Sequence, residues 1–351
     1  MNFDIEKLIR PSVKNLKPYA SARHEFTGEA DVFLDANENS YGSPADEELH
    51  RYPDPYQTAL RLKLAEYKGV KPENIFFGNG SDEPIDLMMR AFCRPGIDNI
   101  ITQPPTYSMY GICAAINEVE DQKVILHADF QPDIQGLKDA VNDNTRLLFF
   151  CSPNNPSGNL MKRETIVELL EMQQFIVVVD EAYIDFADEP SFIHEIEKYP
   201  NLAVMQTFSK AWGLAAARLG VLYADKNIIR VLNKIKPPYN ISLNTQNSGL
   251  KALAAKDIAQ KKLEQIKEQR AVLQSELKKI PQVEHIFPAD ANFLLVRFPD
   301  ADQLYAYLAS KGIVVRNRSK EIHCENCLRI TVGTEPENKY LIVALNNYFT
   351  S

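Results

Sequence analysis

The chain has 351 residues, 45% hydrophobic and 25% charged, with a formal net charge of -8. That length suits a large domain with a smaller companion, and the composition excludes a disordered or fibrous chain. The acidic balance argues against a broad nucleic-acid or anionic-membrane footprint but leaves room for a local basic pocket around a phosphorylated small molecule, and no apolar run reaches membrane-spanning length.

Residues 1–10 mix charged and apolar side chains without a basic stretch leading into an apolar one, so no secretory signal is read and a cytoplasmic location is expected. Cys93, Cys113, Cys151, Cys324 and Cys327 form an odd, sparse set that reads as free thiols in a reducing compartment. Cys324 and Cys327 have C-x-x-C spacing beside His323, yet neither a fourth zinc ligand nor a redox fold context accompanies them. Packing is their expected role, and no metal is expected.

Residues 1–40 read as an arm punctuated by Pro11, Pro18 and Gly28, and it ends in the polar run DANEN at 35–39. Arg51, Tyr52 and Pro53 follow, and residues 56–68 place Leu60, Leu64 and Tyr67 at helical spacing before Gly69. Residues 74–77 predict a short strand, 78–82 a glycine turn and 83–92 a helix with Ile85, Leu87, Met88 and Ala91 apolar. Strand, glycine turn and helix start make an anion site, because backbone N–H groups approach an oxyanion, Ser81 adds a hydroxyl and the helix start adds partial positive charge. The same turn can also serve only to reverse the chain, with Asp82 capping the helix.

Residues 100–102 predict a strand ending in two prolines and Tyr107, which either lies over a heteroaromatic ring or packs as a loop aromatic. Residues 146–151 are a continuous apolar strand opening into SPNNPSG at 152–158, with helix signals over 162–173. Residues 175–179 are the clearest central strand and close on Asp180, a carboxylate that needs a cationic partner if buried. Strands over 203–207 and 219–223 flank Ser209, Lys210 and Arg218. A solvated lysine has a pKa near about 10.4, and apolar crowding or a second cation lowers it, freeing the amine to attack an aldehyde. Alternatively Lys210 extends to solvent and Arg218 pairs with a surface carboxylate.

Strands alternating with helices predict βαβ units and a mostly parallel sheet, whose ligands bind beyond the C-terminal strand ends. The Gly80 turn, Tyr107, Asn155, Asp180 and Lys210 then converge on one edge. Residues 250–280 predict one long helix bridging two domains, and strands at 292–298, 313–316 and 328–332 with helices at 302–311 and 337–349 complete a small α+β domain. The expected division is an arm over 1–40, a large domain over 41–248 and a small domain over 249–351.

One cofactor, pyridoxal phosphate, offers each of these residues a partner. Lys210 matches its aldehyde, Asp180 its pyridine nitrogen, Tyr183 and Asn155 its phenolic oxygen, and Tyr107 its ring. The Gly80 turn, Ser81, Ser209 and Arg218 match its phosphate, and Asp82 at the helix start is a further cofactor-binding candidate. The run SPNNPSG, the group Asp180-Glu181-Ala182-Tyr183 and the pair Ser209-Lys210 with Arg218 resemble the signature of the fold-type I pyridoxal-phosphate-dependent aminotransferases, over nearly the whole chain. The resemblance implies an α/β large domain with a mostly parallel central sheet flanked by helices, a smaller α+β C-terminal domain and an N-terminal arm. It also implies that Lys210, Asp180 and Tyr183 are catalytic.

The runs DANEN at 35–39, RYP at 51–53 and DEAYIDF at 180–186, with Arg329, are similar to members that act on histidinol phosphate in histidine biosynthesis, by a reversible ping-pong transfer to 2-oxoglutarate. That similarity implies that Arg329 binds the substrate end beside its amino-bearing carbon, including the α-carboxylate of glutamate, and that Arg316 grips the substrate phosphate. Tyr52 is implied to reach the cofactor phosphate of a neighbouring subunit in a homodimer with shared active sites, and Tyr19 and Asn37 to close over the substrate. Plainer roles exist, since Arg316 can pair with Glu321 or Glu325 and Tyr19 can pack within the arm. Ser157 stands where threonine is usual, Val221 where tyrosine is common, and the lead-in PADAN at 288–292 is not the commonest form. Threonine-phosphate decarboxylation, aromatic amino-acid transamination and a ligand-sensing regulator on an inactive fold remain alternatives, the last without an appended DNA-binding segment to support it.

Overall fold

The apolar runs become a sheet with both faces covered. The computed structural model describes residues 3–17, 31–45 and 47–350. Within these, the large sheet consists of β1 (Ile75–Asn79), β2 (Asn99–Thr102), β3 (Glu120–Lys123), β4 (Thr145–Cys151), β5 (Ile176–Asp180), β6 (Leu202–Thr207) and β7 (Leu219–Ala224). Alternate residues go to opposite cores: Phe77, Leu148, Val177 and Val204 to one, Phe76, Leu147, Val178 and Ala203 to the other. Burial on both sides is why these strands read as continuous apolar runs rather than alternating ones.

The strand order is β1-β7-β6-β5-β4-β2-β3. Pairs β2–β3, β2–β4, β4–β5 and β5–β6 are parallel, so the expectation of a mostly parallel sheet holds. β7 alone runs antiparallel to both neighbours, β1 and β6. Its N-terminal end therefore meets the edge where the other strands finish, and Arg218, one residue before it, arrives there too. Gly220 pairs with Gly78 across β7–β1, and a Cβ on Gly220 would lie 2.2 Å from the Gly80 carbonyl carbon. Only glycine lets the turn after β1 press this closely on β7.

Gly80 itself has φ +67°, and a Cβ there would meet Arg218 Nη2 at 2.4 Å. The substitution Gly80→Ala is expected to destabilise the protein by about 1–2 kcal/mol through left-handed strain alone. It should also displace the Arg218 guanidinium. The urea unfolding midpoint measures the first effect, and an unchanged midpoint would refute it.

A second sheet, β10-β11-β9-β8, is antiparallel throughout and comprises β8 (His285–Ile286), β9 (Phe293–Arg297), β10 (Arg316–Asn317) and β11 (Cys327–Thr331). Leu294, Val296, Leu328 and Ile330 pack with Leu273, Leu304 and Leu341 from the helices Lys256–Leu277, Ala301–Ser310 and Glu335–Thr350. A small cluster of Tyr183, Phe186, Leu263, Ala291 and Phe293 joins this region to the end of β5.

Four features depart from the sequence reading. The long helix expected over 250–280 is two helices, Leu243–Ala254 and Lys256–Leu277, meeting at Ala255. No glycine or proline marks the break; the first helix packs on the helix Thr58–Lys68, whereas the second serves the small sheet. The strand expected over 313–316 pairs only at Arg316 and Asn317, on an edge where Val314 is 83% exposed. The polar edge strand β3, the two-residue β8 and the helices Met109–Ile116, Ile134–Ala140 and Lys226–Ile235 have no expectation above, β3 because an edge strand needs no apolar run. Finally, Leu8, Ile9 and Val13 of the arm are buried in the large domain's core, and the Arg10 N–H donates to the Ala91 carbonyl at 2.9 Å.

Candidate active site

The C-terminal strand ends build the site. After β1, Gly80 turns with its left-handed φ and donates its N–H to the Arg218 carbonyl at 2.8 Å. That N–H is thus committed within the protein, and the donors left for an anion begin at Ser81, where the helix Asp82–Phe92 starts. Ser81 occupies the cap position without a side-chain capping bond, so its hydroxyl remains available to a ligand. Asp82 lies inside the helix rather than capping it. Its carboxylate accepts the Tyr107 hydroxyl at 3.0 Å and pairs with Arg218 Nη2 at 3.3 Å, so one residue orients both an aromatic ring and a guanidinium.

Asp180 ends β5 and is 2% exposed. It accepts the Tyr110 hydroxyl at 2.7 Å and the Ala182 N–H at 3.1 Å. Burial pushes its carboxyl up to about 6, with the charge of Asp82 adding to the rise and these two donors and Lys210 opposing it. Tyr110 is fully buried and stacks on Phe149 at 4.8 Å, while Tyr107 meets it edge-on at 5.6 Å.

Lys210 follows β6, with Nζ 5.5 Å from the Tyr183 ring centroid. Its surface is open to the cavity, yet protein crowds it closely enough that burial lowers its pKa, and the positive charges of Arg329 and Arg218 lower it further. Ser209 donates its N–H to Thr207 Oγ1 at 3.1 Å, which orders the turn. From the small sheet, Arg329 on β11 donates to Asn155 Oδ1 and sits 5.2 Å over Phe293. Because Oδ1 is the acceptor there, Asn155 presents Nδ2 as a donor. Tyr183 packs edge-on to Phe293 at 5.2 Å, and burial raises its hydroxyl well above the ordinary tyrosine value.

These side chains border one cavity of about 390 Å³, which also takes in Arg218, Arg316 and Arg318. A larger cavity of about 680 Å³ lies between the N-terminal segment and the helix Lys226–Ile235. It contains no strand end, and Glu6 already pairs with Lys14 and Arg230 there, so the chemistry belongs to the smaller one.

Of the sequence-predicted residues, Ser81, Asp82, Tyr107, Asn155, Asp180 and Tyr183 reach this cavity, as do Ser209, Lys210, Arg218, Arg316 and Arg329. Asn37 is exposed with φ 55° and does not border it. Tyr52 is also outside, 50% exposed and stacked on Tyr239 at 4.4 Å. Tyr19 lies outside the described residues. The carboxylates weighed as partners of Arg316 are engaged elsewhere: Glu321 pairs with Arg318 at 2.5 Å, and Glu325 lies 3.9 Å from Arg297. Among the described residues Arg316 makes no ion pair.

Sequence reasoning missed Tyr110 and Arg318. Tyr110 stands three residues after Tyr107 at a helix start that went unread. Arg318 stands two residues after Arg316, the spacing that keeps side chains on one face of a strand. The five cysteines are buried, and burial pushes the Cys324 thiol up to about 12, consistent with packing roles.

Residues 28–345 match the profile of the family described as "Aminotransferase class I and II". A histidinol-phosphate aminotransferase of Christiangramia forsetii is 52% identical over 345 residues, covering 98% of this chain and 97% of the relative. Another, of Cytophaga hutchinsonii, is 50% identical over 348 residues, covering 99% of this chain and 100% of the relative. The crystal structure of histidinol-phosphate aminotransferase from Sinorhizobium meliloti in complex with pyridoxal-5'-phosphate aligns with a TM-score of 0.79 at 25% identity, covering 90% of each chain.

Proposed function

The chain belongs to the class I and II aminotransferase family, and on that premise we propose that it is a pyridoxal-phosphate-dependent transaminase of histidine biosynthesis. It moves the amino group of L-histidinol phosphate to 2-oxoglutarate, giving imidazole acetol phosphate and glutamate, in a reversible ping-pong sequence. The observation that carries this reading is the meeting of Lys210, buried Asp180 and the guanidiniums of Arg218, Arg316 and Arg329 around one cavity.

The residues present fit the cofactor. Asp180 is a buried carboxylate whose hydrogen-bond partners are a neutral hydroxyl and an N–H, the environment in which a protonated ring nitrogen supplies the missing cation. Gly80, by lacking a Cβ, leaves room for the Arg218 guanidinium beside the helix start. Ser81, Ser209 and Arg218 would hold the cofactor phosphate with Asp82 orienting Arg218, while Tyr107 would face the ring and Tyr183 with Asn155 Nδ2 would donate to its phenolic oxygen. When bound, pyridoxal phosphate supplies an aldehyde for amines and a protonated ring that accepts electrons. Lys210 would hold the cofactor at its aldehyde and would serve as the base that takes the proton from the substrate Cα. Arg329 holds the substrate end beside that carbon, including the α-carboxylate of glutamate, and Arg316 holds the phosphate.

The Asp180 carboxyl gives this reading a pH signature. Its folded value, about 6, lies above the ordinary 3.8, so its protonated form favours the cofactor-free fold. That contribution is present below the ordinary value and is lost as pH rises through 6. A cationic ring nitrogen needs the ionised form, so the sign reverses for binding. Cofactor affinity is expected to weaken by up to about tenfold per pH unit below 6 through this group. Fluorescence titration of the cofactor-free protein with pyridoxal phosphate checks it; Asp180→Asn must flatten the profile, and an unflattened one refutes the assignment.

The reading also includes a homodimer with shared active sites, a cytoplasmic location and a division into large (41–248) and small (249–351) domains. Val32, Leu34 and Tyr41 are 72%, 83% and 101% exposed, an apolar surface that a second copy would cover, and Tyr52 would reach that copy's cavity, while Asn37 would close over the substrate. Sedimentation of a fully active monomer would refute the dimer. The small sheet's own core of Leu294, Val296, Leu328 and Ile330 with its helices supports the domain division, while Leu295 and Cys327 pack with the large sheet's core. Five buried thiols suit a reducing compartment, and among the described residues no helix is long and apolar enough to cross a membrane.

The substrate assignment is tested by mixing the cofactor-loaded protein separately with histidinol phosphate, histidine, phenylalanine and threonine phosphate, following near-visible absorbance and carbon dioxide. Conversion of histidinol phosphate without gas is the expected result. Carbon dioxide from threonine phosphate, or faster conversion of phenylalanine, overturns it.

A further inference from the structure

Pairing of β10 with β11 places Arg316 opposite Arg329. The Arg318 N–H continues the ladder onto the Cys327 carbonyl at 2.9 Å, so Arg318 lies two residues along the same strand face, and all three arginines border the cavity. Three like charges in one cavity repel, and after burial the charge of Arg318 is the strongest influence lowering the pKa of Arg329. Arg318 differs from Arg316 in being fixed. Its side chain is 19% exposed, Nη1 donates to Glu321 Oε1 at 2.5 Å, and Nε is buried without a hydrogen-bond partner. The guanidiniums of Arg316, Arg318 and Arg329 leave a concentration of positive charge at one cavity, and an anionic ligand there would offset it. A phosphate dianion has oxygens enough for two guanidiniums.

We propose that Arg318 is the second cation of the substrate-phosphate site, acting beside Arg316, and that it makes the enzyme prefer a phosphorylated amine over the same amine lacking the phosphate. The inference rests on the function proposed above. Glu321 serves it by holding Nη1, which fixes the Arg318 guanidinium at the edge of the cavity.

The test compares histidinol phosphate with histidinol as amino donors at saturating 2-oxoglutarate, alongside calorimetric binding of histidinol phosphate to the loaded protein. Arg318→Gln is expected to raise KM and the dissociation constant for histidinol phosphate by roughly 10- to 100-fold. KM for histidinol and kcat for both donors should stay within about threefold, since the lost contact is remote from the reacting carbon. Arg318→Lys, which keeps the charge without the planar fork, should fall between. Glu321→Gln removes the ion pair but keeps the arginine, so it should retain most of the preference. Equal losses for both donors, no loss for either, or a Glu321→Gln loss as large as that of Arg318→Gln overturns the inference; the last would make Arg318 only a partner for Glu321. Should Arg318→Gln not fold, Arg318→Lys and Glu321→Gln still decide it. A wild-type enzyme without preference for histidinol phosphate would overturn the proposed function itself, a result distinct from an unaffected Arg318→Gln in a selective wild type.

Discussion

Lys210→Ala is expected to lower kcat by on the order of 10³-fold or more while leaving the fold intact. The magnitude follows from what else borders the cavity. Among the described residues Lys210 is the one amine there, and the other cations are the guanidiniums of Arg218, Arg316, Arg318 and Arg329. A guanidinium stays protonated at any working pH and cannot take a proton from carbon. Tyr183 is no substitute either, since burial raises its hydroxyl well above the ordinary value. Lys210 alone combines a basic nitrogen with surroundings that favour its neutral form, through burial and the nearby charges of Arg329 and Arg218. Steady-state turnover of histidinol phosphate, with circular dichroism to establish folding, measures the effect. Partial recovery on adding a small primary amine is a further expectation, because the amine replaces the missing base. A folded variant turning over near the wild-type rate would mean that another group moves the proton.

The second large effect is expected at Asp180. Asp180→Asn should lower kcat by about 10²-fold at saturating cofactor and also weaken cofactor binding, because removing one partner of a buried ion pair costs about 3–5 kcal/mol. The buried carboxylate has Tyr110 at 2.7 Å and the Ala182 N–H at 3.1 Å, which fix its direction without neutralising it. An asparagine can accept from these donors but cannot hold a proton on a ring nitrogen. Tyr110→Phe separates orientation from charge: the carboxylate stays, one stabilising donor disappears, and the pH dependence of cofactor binding should move upward. If Asp180→Asn keeps kcat within about threefold, the carboxylate does not tune the cofactor.

Much of this site was legible because Ser81, Asp180 and Lys210 stand at or just beyond the ends of apolar strands. Val177, Val178 and Val179 announce where Asp180 falls, and the run before Asn155 does the same, since strands covered on both faces leave an unbroken apolar signal. Motif resemblance then supplied roles that spacing could not. Signals failed where tertiary contacts overrode local pattern. The break at Ala255 carries no helix-ending residue, and β3 lies at a sheet edge with a wholly polar sequence. Tyr52, whose implied role concerns a second copy, and Asn37, implied to close over the substrate, both stand outside the cavity of their own chain.

What the sequence by itself determined was the chemistry: a lysine, a strand-end carboxylate, a glycine turn before a helix and an asparagine, in an order that a parallel sheet brings to one edge. Only the tertiary structure decided how these are held. β7 runs against its neighbours, which carries Arg218 to that edge and into contact with Asp82, and no local pattern states a strand's direction. The Tyr110 hydroxyl reaches Asp180 across 70 positions, and Arg329 reaches Asn155 across 174. Such contacts depend on register and packing between distant segments, and burial then sets their strength by excluding the water that would otherwise satisfy each group.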